Sequence, residues 1–150
     1  MTKSKLIYLD VCVLSRPFDD QHQMRIRLET EAVNLILSQV KQGQYALLVS
    51  PVHRREIVDI PDPYERTGLQ TILEKYGVPV SVDLVATRQR SEELVAIGFG
   101  VADAAHVAFA EKSEASFVSC DDKLLKKCTG EIFDIWCGNP VAFCEQERLR

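Results

Sequence analysis

The chain has 150 residues, 46% of them hydrophobic and 27% charged, which is typical of a folded domain; one core suffices at this length, so we expect a single domain over residues 1–150. The net charge of −4 excludes a surface that holds nucleic acid by bulk positive charge. No apolar run is long enough for a signal peptide or a membrane span, which predicts a cytoplasmic protein.

Short apolar strands alternate with helical segments along the chain. The predicted strands are 6–10, 45–49, 78–82, 115–119 and 132–136. The predicted helices are 22–42, 51–59, 63–76, 83–97, 101–113, 122–128 and 140–147, with a turn-rich stretch at 15–20. This alternation indicates an α/β fold in which helices cover both faces of a parallel sheet.

Several local signals define these elements. Ser50 and Pro51 form a typical helix start, and Gly43 is expected to stop the long first helix. The proline within the third strand indicates an edge of the sheet. The apolar face of the first helix is predicted from Leu28, Ala32, Leu35, Ile36 and Val40.

Two aspartates follow apolar strands directly. Asp10 ends the first strand, and Asp121 ends the stretch that contains the fourth. In open parallel sheets, ligands bind at the carboxyl ends of the strands, near the point where strand order reverses. If these two strands are neighbours, both carboxylates lie at one candidate site.

Two further acids are positioned to join them. Glu56 lies on the helix after the second strand, and Asp103 lies in the first turn of the helix before the fourth strand. Crowded carboxylates repel one another, which a bound cation relieves. Oxygen ligands favour Mg²⁺ or Mn²⁺ over zinc, and such ions promote phosphodiester hydrolysis. Taken singly, each acid also has a structural interpretation, as a helix cap, a turn residue or a salt-bridge partner.

Four motifs in order resemble the PIN-domain family, which includes the VapC-like toxin ribonucleases of VapBC toxin–antitoxin pairs. LIYLDVCVLSRPFDD resembles the family's opening strand and aspartate, and LLVSPVHRREI resembles its second strand and acidic helix. GVADAAHVAFA is similar to the A-D-x-x-H helix, and FVSCDDKLL to the strand that ends in T-x-D. The similarity covers almost the whole chain.

The resemblance implies a three-layer α/β/α sandwich with a central five-stranded parallel sheet. It also implies an Mg²⁺- or Mn²⁺-dependent endoribonuclease, frequent homodimerisation and, for toxins, inhibition by a small antitoxin protein. The catalytic and metal-binding positions that match the family's motifs are Asp10, Glu56, Asp103 and Asp121.

The sequence departs from the family pattern just after the first aspartate. Val11 stands where Thr or Ser is common, and the lost hydroxyl removes one hydrogen bond that supports a metal ligand. Ser119 keeps a hydroxyl where the family has Thr, and Ser15 is a further candidate for this supporting role. The loss at Val11 motivates an alternative function, a PIN-like binding or scaffold domain with weakened catalysis.

Basic and imidazole side chains near the motifs are candidate RNA contacts. Arg54 and Arg55 precede Glu56, Lys123 follows Asp121, and His106 shares a helical face with Asp103. His106 is equally consistent with a packed, hydrogen-bonded histidine that orients a carboxylate. The arginines and the lysine are also consistent with solvated helix faces.

Other chemistries are less consistent with the residues. The five cysteines lack C-x-x-C spacing and no cysteine–histidine pairing is evident, so we expect reduced thiols rather than a disulfide framework, a zinc site or a nucleophile. An acid-pocket phosphatase would show D-x-D at the first strand, where Cys12 occupies the third place. A receiver domain would carry its adjacent acidic pair early, whereas Asp121 and Asp122 come late.

Overall fold

A computed structural model describes residues 4–130 and 134–150. The strands are β1 (Lys5–Leu9), β2 (Tyr45–Val49), β3 (Gly77–Pro79), β4 (Ser116–Val118) and β5 (Cys137–Gly138). The helices are α1 (Val11–Ser15), α2 (Met24–Lys41), α3 (Pro51–Val58), α4 (Pro63–Tyr76), α5 (Leu84–Ala96), α6 (Val101–Lys112), α7 (Asp122–Gly130) and α8 (Pro140–Glu147).

The five strands form one parallel sheet in the order β3-β2-β1-β4-β5. This confirms the predicted α/β architecture, with a five-stranded parallel sheet flanked by helices, and it confirms β3 as an edge strand. The chain order reverses at β1, which pairs with β2 on one side and β4 on the other. The first and fourth strands are therefore neighbours, as the candidate site requires.

Successive side chains of the strands point to opposite faces of the sheet and pack into two separate apolar cores, one on each face. Ile7 and Leu9 of β1 pack into the core formed with α1, α2, α4 and α8. Tyr8, between them, points into the core formed with α5, α6 and α7. Both faces of the central strand are thus buried, which is why β1 is almost continuously apolar.

Two local expectations are corrected in the loops and the last strand. The stretch predicted as turns contains the end of α1 and a 3-10 turn at Arg16–Phe18. The last strand is Cys137–Gly138 rather than 132–136, and residues 131–133 lie outside the described ranges. β4 pairs with this later segment: the Phe117 N–H donates to the Trp136 carbonyl at 2.8 Å, and the Ser119 N–H donates to the Gly138 carbonyl at 3.0 Å.

The apolar face of α2 also differs from the sequence pattern. Leu28 is 51% exposed, whereas its neighbour Glu29 is only 2% exposed. The Glu29 carboxylate accepts a hydrogen bond from Nε of Arg16 at 3.0 Å, and Nε of Arg25 lies 3.5 Å away. Two guanidinium groups offset the cost of burying this charge, so a residue that periodicity assigns to solvent lies inside.

Gly77 is required by a close approach between α4 and β2. A Cβ at this position would lie 2.3 Å from the Leu73 carbonyl oxygen and 2.4 Å from Cγ2 of Val49. Its φ of −72° is ordinary, so the constraint is space rather than backbone conformation.

We expect Gly77→Ala to lower the free energy of unfolding by about 1–3 kcal/mol, because the added methyl group forces α4 away from the sheet. Val78→Ala, at a position 43% exposed on the same strand, is the matched control and should change stability little. Chemical denaturation of both variants measures the difference. Equal stability of Gly77→Ala and the unmodified protein would contradict the close approach.

Candidate metal centre

The carboxyl ends of β1 and β4 bring the two strand-end aspartates to one edge of the sheet. The Asp10 N–H donates to the Val118 carbonyl at 2.9 Å, so the ladder continues up to the first acid. Asp10 itself is 7% exposed. Asp121 begins the turn into α7, where its Oδ1 accepts the N–H groups of Lys123 at 3.0 Å and Leu124 at 3.2 Å. Asp121 therefore caps α7, with its side chain exposed.

Glu56 and His106 complete a cluster with Asp10. One ligand atom from each of the three residues lies within 4.8 Å of the others. His106 Nε2 is hydrogen bonded to the Glu56 carboxylate and lies 3.8 Å from Oδ1 of Asp10. This bond is the main reason why the pKa of Glu56 lies below its ordinary value. Side-chain oxygens of Asp10, just after β1, and of Glu56 on α3 thus face one small volume together with a ring nitrogen of His106 on α6.

Asp103 lies half-buried in the first turn of α6, beside this cluster. Burial raises its pKa, and the negative charges of Asp10, Asp121 and Glu56 raise it further. His106 acts in the opposite direction. Asp103 therefore interacts electrostatically with the other three predicted acids. Of the four acids, Asp10 and Glu56 are the two that come within 4.8 Å of each other, in the cluster that also contains His106.

Ser119 supports Asp10 from the neighbouring strand. It is fully buried, and its hydroxyl donates to Oδ2 of Asp10 at 2.9 Å while accepting the Asp121 N–H at 3.1 Å. Ser15 instead interacts with the carboxylate of Glu65. Val11 offers Asp10 no hydroxyl, and Ser119 supplies one.

The candidate RNA contacts occupy different environments. Arg54, Arg55 and Lys123 are exposed and form no ion pair within residues 4–130 and 134–150. His106 is 1% exposed, with both ring nitrogens hydrogen bonded. Arg25, another basic residue near this end of the sheet, is held by Asp122 through two hydrogen bonds of 2.7 and 2.8 Å.

Sequence reasoning missed Tyr8, Ser50 and His53, all buried beneath the cluster. The pattern of β1 assigns Tyr8 to the apolar core, and the sequence predicts Ser50 only as a helix cap. His53 also completes that cap, since its Nδ1 accepts the Ser50 N–H at 3.0 Å. The one sequence signal for these three residues was that polar side chains occur in or beside strands that the pattern predicts to be buried.

Comparisons with known proteins yield a likeness of fold. No family model and no curated protein sequence matches the chain. Among solved structures, FitAcB from Neisseria gonorrhoeae is 16% identical and aligns over 89% of this chain and 97% of that one, with a TM-score of 0.56. FitAB bound to an IR36 DNA fragment is 17% identical over 90% of this chain and 95% of that one, with a TM-score of 0.55.

These likenesses extend over nearly the full length of both chains, and at such identities they show the fold alone. The class defined here is therefore an α/β domain that shares the fold of FitAcB and FitAB and carries a cluster of Asp10, Glu56 and His106 at the carboxyl edge of its parallel sheet. Within the described ranges, no helix is both long and apolar enough to cross a bilayer.

We expect Asp103→Asn to raise the melting temperature of the metal-free protein at neutral pH. A carboxyl group with a raised folded-state pKa favours folding below its unfolded pKa, about 4, and loses that contribution as the pH rises through the folded value. The amide removes the buried charge, so the gain should shrink as the pH falls toward about 4.

Thermal melts of both proteins between about pH 4 and 7 measure this difference. Asp59→Asn, at the exposed residue that follows α3, is the control and should show no such trend. A lower melting temperature of Asp103→Asn at neutral pH would mean that the Asp103 charge stabilises the fold.

Proposed function

We propose that this protein is an Mg²⁺- or Mn²⁺-dependent endoribonuclease and the toxin component of a toxin–antitoxin pair. The observation that carries the proposal is the convergence of the Asp10 and Glu56 carboxylates with the His106 imidazole, since one side-chain oxygen or nitrogen of each lies within 4.8 Å of the others. Asp103 lies beside them, and after burial the negative charges of Asp10, Asp121 and Glu56 contribute to its raised pKa. The order of the motifs along the chain agrees with this assignment.

The donor chemistry fits a hard divalent cation. Carboxylate oxygens predominate, and Arg25, a nearby guanidinium group, is already engaged by Asp122. Asp10, Glu56, Asp103 and Asp121 would hold the ion, a set of oxygens that suits Mg²⁺ or Mn²⁺. When bound, such an ion polarises a phosphoryl oxygen and makes water a better nucleophile.

The chain's own residues orient the ligands. Ser119 fixes one oxygen of Asp10, which leaves Oδ1 toward Glu56 and His106. His106 fixes Glu56 in the same way. Because Ser119 supplies a hydroxyl to Asp10, the loss of one at Val11 does not leave this ligand unsupported, which favours an active enzyme over the scaffold alternative.

Exposed basic residues lie beside the acids in the chain. Arg54 and Arg55 belong to α3 with Glu56, and Lys123 follows Asp121 in α7. A scissile phosphate at an acidic edge needs positive charge on the flanking phosphates, which these three side chains would provide. The overall charge of −4 restricts such binding to this local rim.

Protein partners are part of the proposal. The structures of FitAcB and FitAB share the fold over nearly their whole length, and the toxin-like motifs imply a small antitoxin that covers the acidic edge. A homodimer is also proposed, and exposed apolar residues at the starts of α5 and α6 supply surface for it. These residues are Leu84, Val85 and Val101, which are 64%, 68% and 76% exposed.

We expect Asp10→Asn to reduce RNA cleavage at least about a hundredfold and to weaken Mn²⁺ binding, because the isosteric amide removes the charge of the most buried ligand. Asp59→Asn, purified identically, should cleave at the unmodified rate, and circular dichroism should show both variants folded. Full cleavage by Asp10→Asn would refute the nuclease assignment. No saturable Mn²⁺ binding by the unmodified protein near neutral pH would favour the scaffold alternative.

A further inference from the structure

A chain of buried hydrogen bonds runs beneath the acidic cluster, and we call it the buried relay. Its members are Tyr8, Ser50, His53 and His106, each no more than 1% exposed. The Tyr8 hydroxyl lies 2.6 Å from Oγ of Ser50 and 2.5 Å from Nδ1 of His106. Tyr8 belongs to β1, His53 to α3 and His106 to α6, and Ser50 follows β2 as the N-cap of α3.

One end of the relay is anchored to the backbone next to Asp10. Nδ1 of His53 accepts the Ser50 N–H, so the proton of the neutral ring is on Nε2, which donates to the Leu9 carbonyl at 2.7 Å. Burial lowers the pKa of His53 to about 3, which keeps the ring neutral. Leu9 immediately precedes Asp10, so this end is fixed to the backbone that carries the first acid.

The other end holds Glu56. An ionised carboxylate only accepts hydrogen bonds, so Nε2 of His106 carries the proton that it shares with Glu56. The Glu56 side chain is 37% exposed and, without this bond, is free to turn into solvent. Repulsion by Asp10 would favour that turn. The relay therefore opposes it with a rigid, fully buried imidazole.

We propose that Tyr8 is a positioning residue for this edge of the sheet: its hydroxyl orients the His106 imidazole, which keeps Glu56 facing Asp10 ready for a divalent cation. The inference rests on the metal-dependent function proposed above, and it adds a role for a side chain that touches neither ion nor RNA. Ligands held in place before binding lose less conformational freedom when the ion binds.

The hydroxyl of Tyr8 can be separated from its ring. The ring packs against Phe117 and His53, with centroids 6.0 and 4.5 Å away, and Tyr8→Phe retains this packing. Tyr45 offers a matched control, since it is 7% exposed in β2 and its hydroxyl donates to Glu147 at 2.8 Å. Tyr45→Phe loses a comparable hydrogen bond outside the relay.

Calorimetry with Mn²⁺ on the full chain tests the proposal. We expect Tyr8→Phe to bind Mn²⁺ about tenfold or more weakly than the unmodified protein, and Tyr45→Phe to bind it normally. Normal Mn²⁺ affinity in Tyr8→Phe would overturn the positioning role and leave the proposed function intact. Failure of the unmodified protein to bind Mn²⁺ would overturn both.

Two spectroscopic readouts separate positioning from other roles. In the metal-free protein, the imidazole Nε2–H resonance of His106, assigned by its loss in His106→Gln, should be protected from exchange and lose that protection in Tyr8→Phe only. Unchanged protection would overturn the relay. In the Mn²⁺-loaded protein, pulsed paramagnetic resonance should show no directly coupled ring nitrogen. Such a coupling would identify His106 as a ligand and overturn its role as a support for Glu56.

Discussion

The parallel pairing of β1 with β4 is the constraint on which the rest of the structure depends. Leu9 is in register with Val118, and the Asp10 N–H extends the ladder to the Val118 carbonyl. This pairing sets the ends of two strands side by side although they are far apart in sequence. It also brings Ser119 within hydrogen-bonding distance of Asp10. The same strand pairing therefore positions both the Asp10 carboxylate and the hydroxyl that orients it.

Electrostatic repulsion is the cost of this arrangement, and the protein offsets it locally. Burial and, after it, the charges of Asp10, Asp121 and Glu56 raise the pKa of Asp103, whereas the hydrogen bond from His106 lowers the pKa of Glu56. Glu29 shows the same principle away from the cluster, where Arg16 and Arg25 compensate a buried carboxylate. At the sheet edge the compensation is partial, which leaves the charge that a cation would neutralise.

The side chains on the two faces of β1 have different roles. Ile7 and Leu9 build one apolar core, while Tyr8 between them reaches the polar groups of α3 and α6. A single strand therefore links the packing of one layer to the hydrogen bonding of the other. Few sequence patterns reveal this, because a tyrosine in an apolar strand has the same periodicity as any core aromatic residue.

The sequence by itself determined the alternation of strands and helices, the edge position of β3 and the four acids at the ends of their elements. These features follow from local periodicity, caps and prolines, which act over a few residues. Only the tertiary structure decided that Glu29 is buried and Leu28 exposed, that the last pairing falls at Cys137–Gly138, and that Ser119 rather than Ser15 reaches Asp10. Those outcomes depend on which distant groups meet, and the sequence pattern carries no record of that geometry.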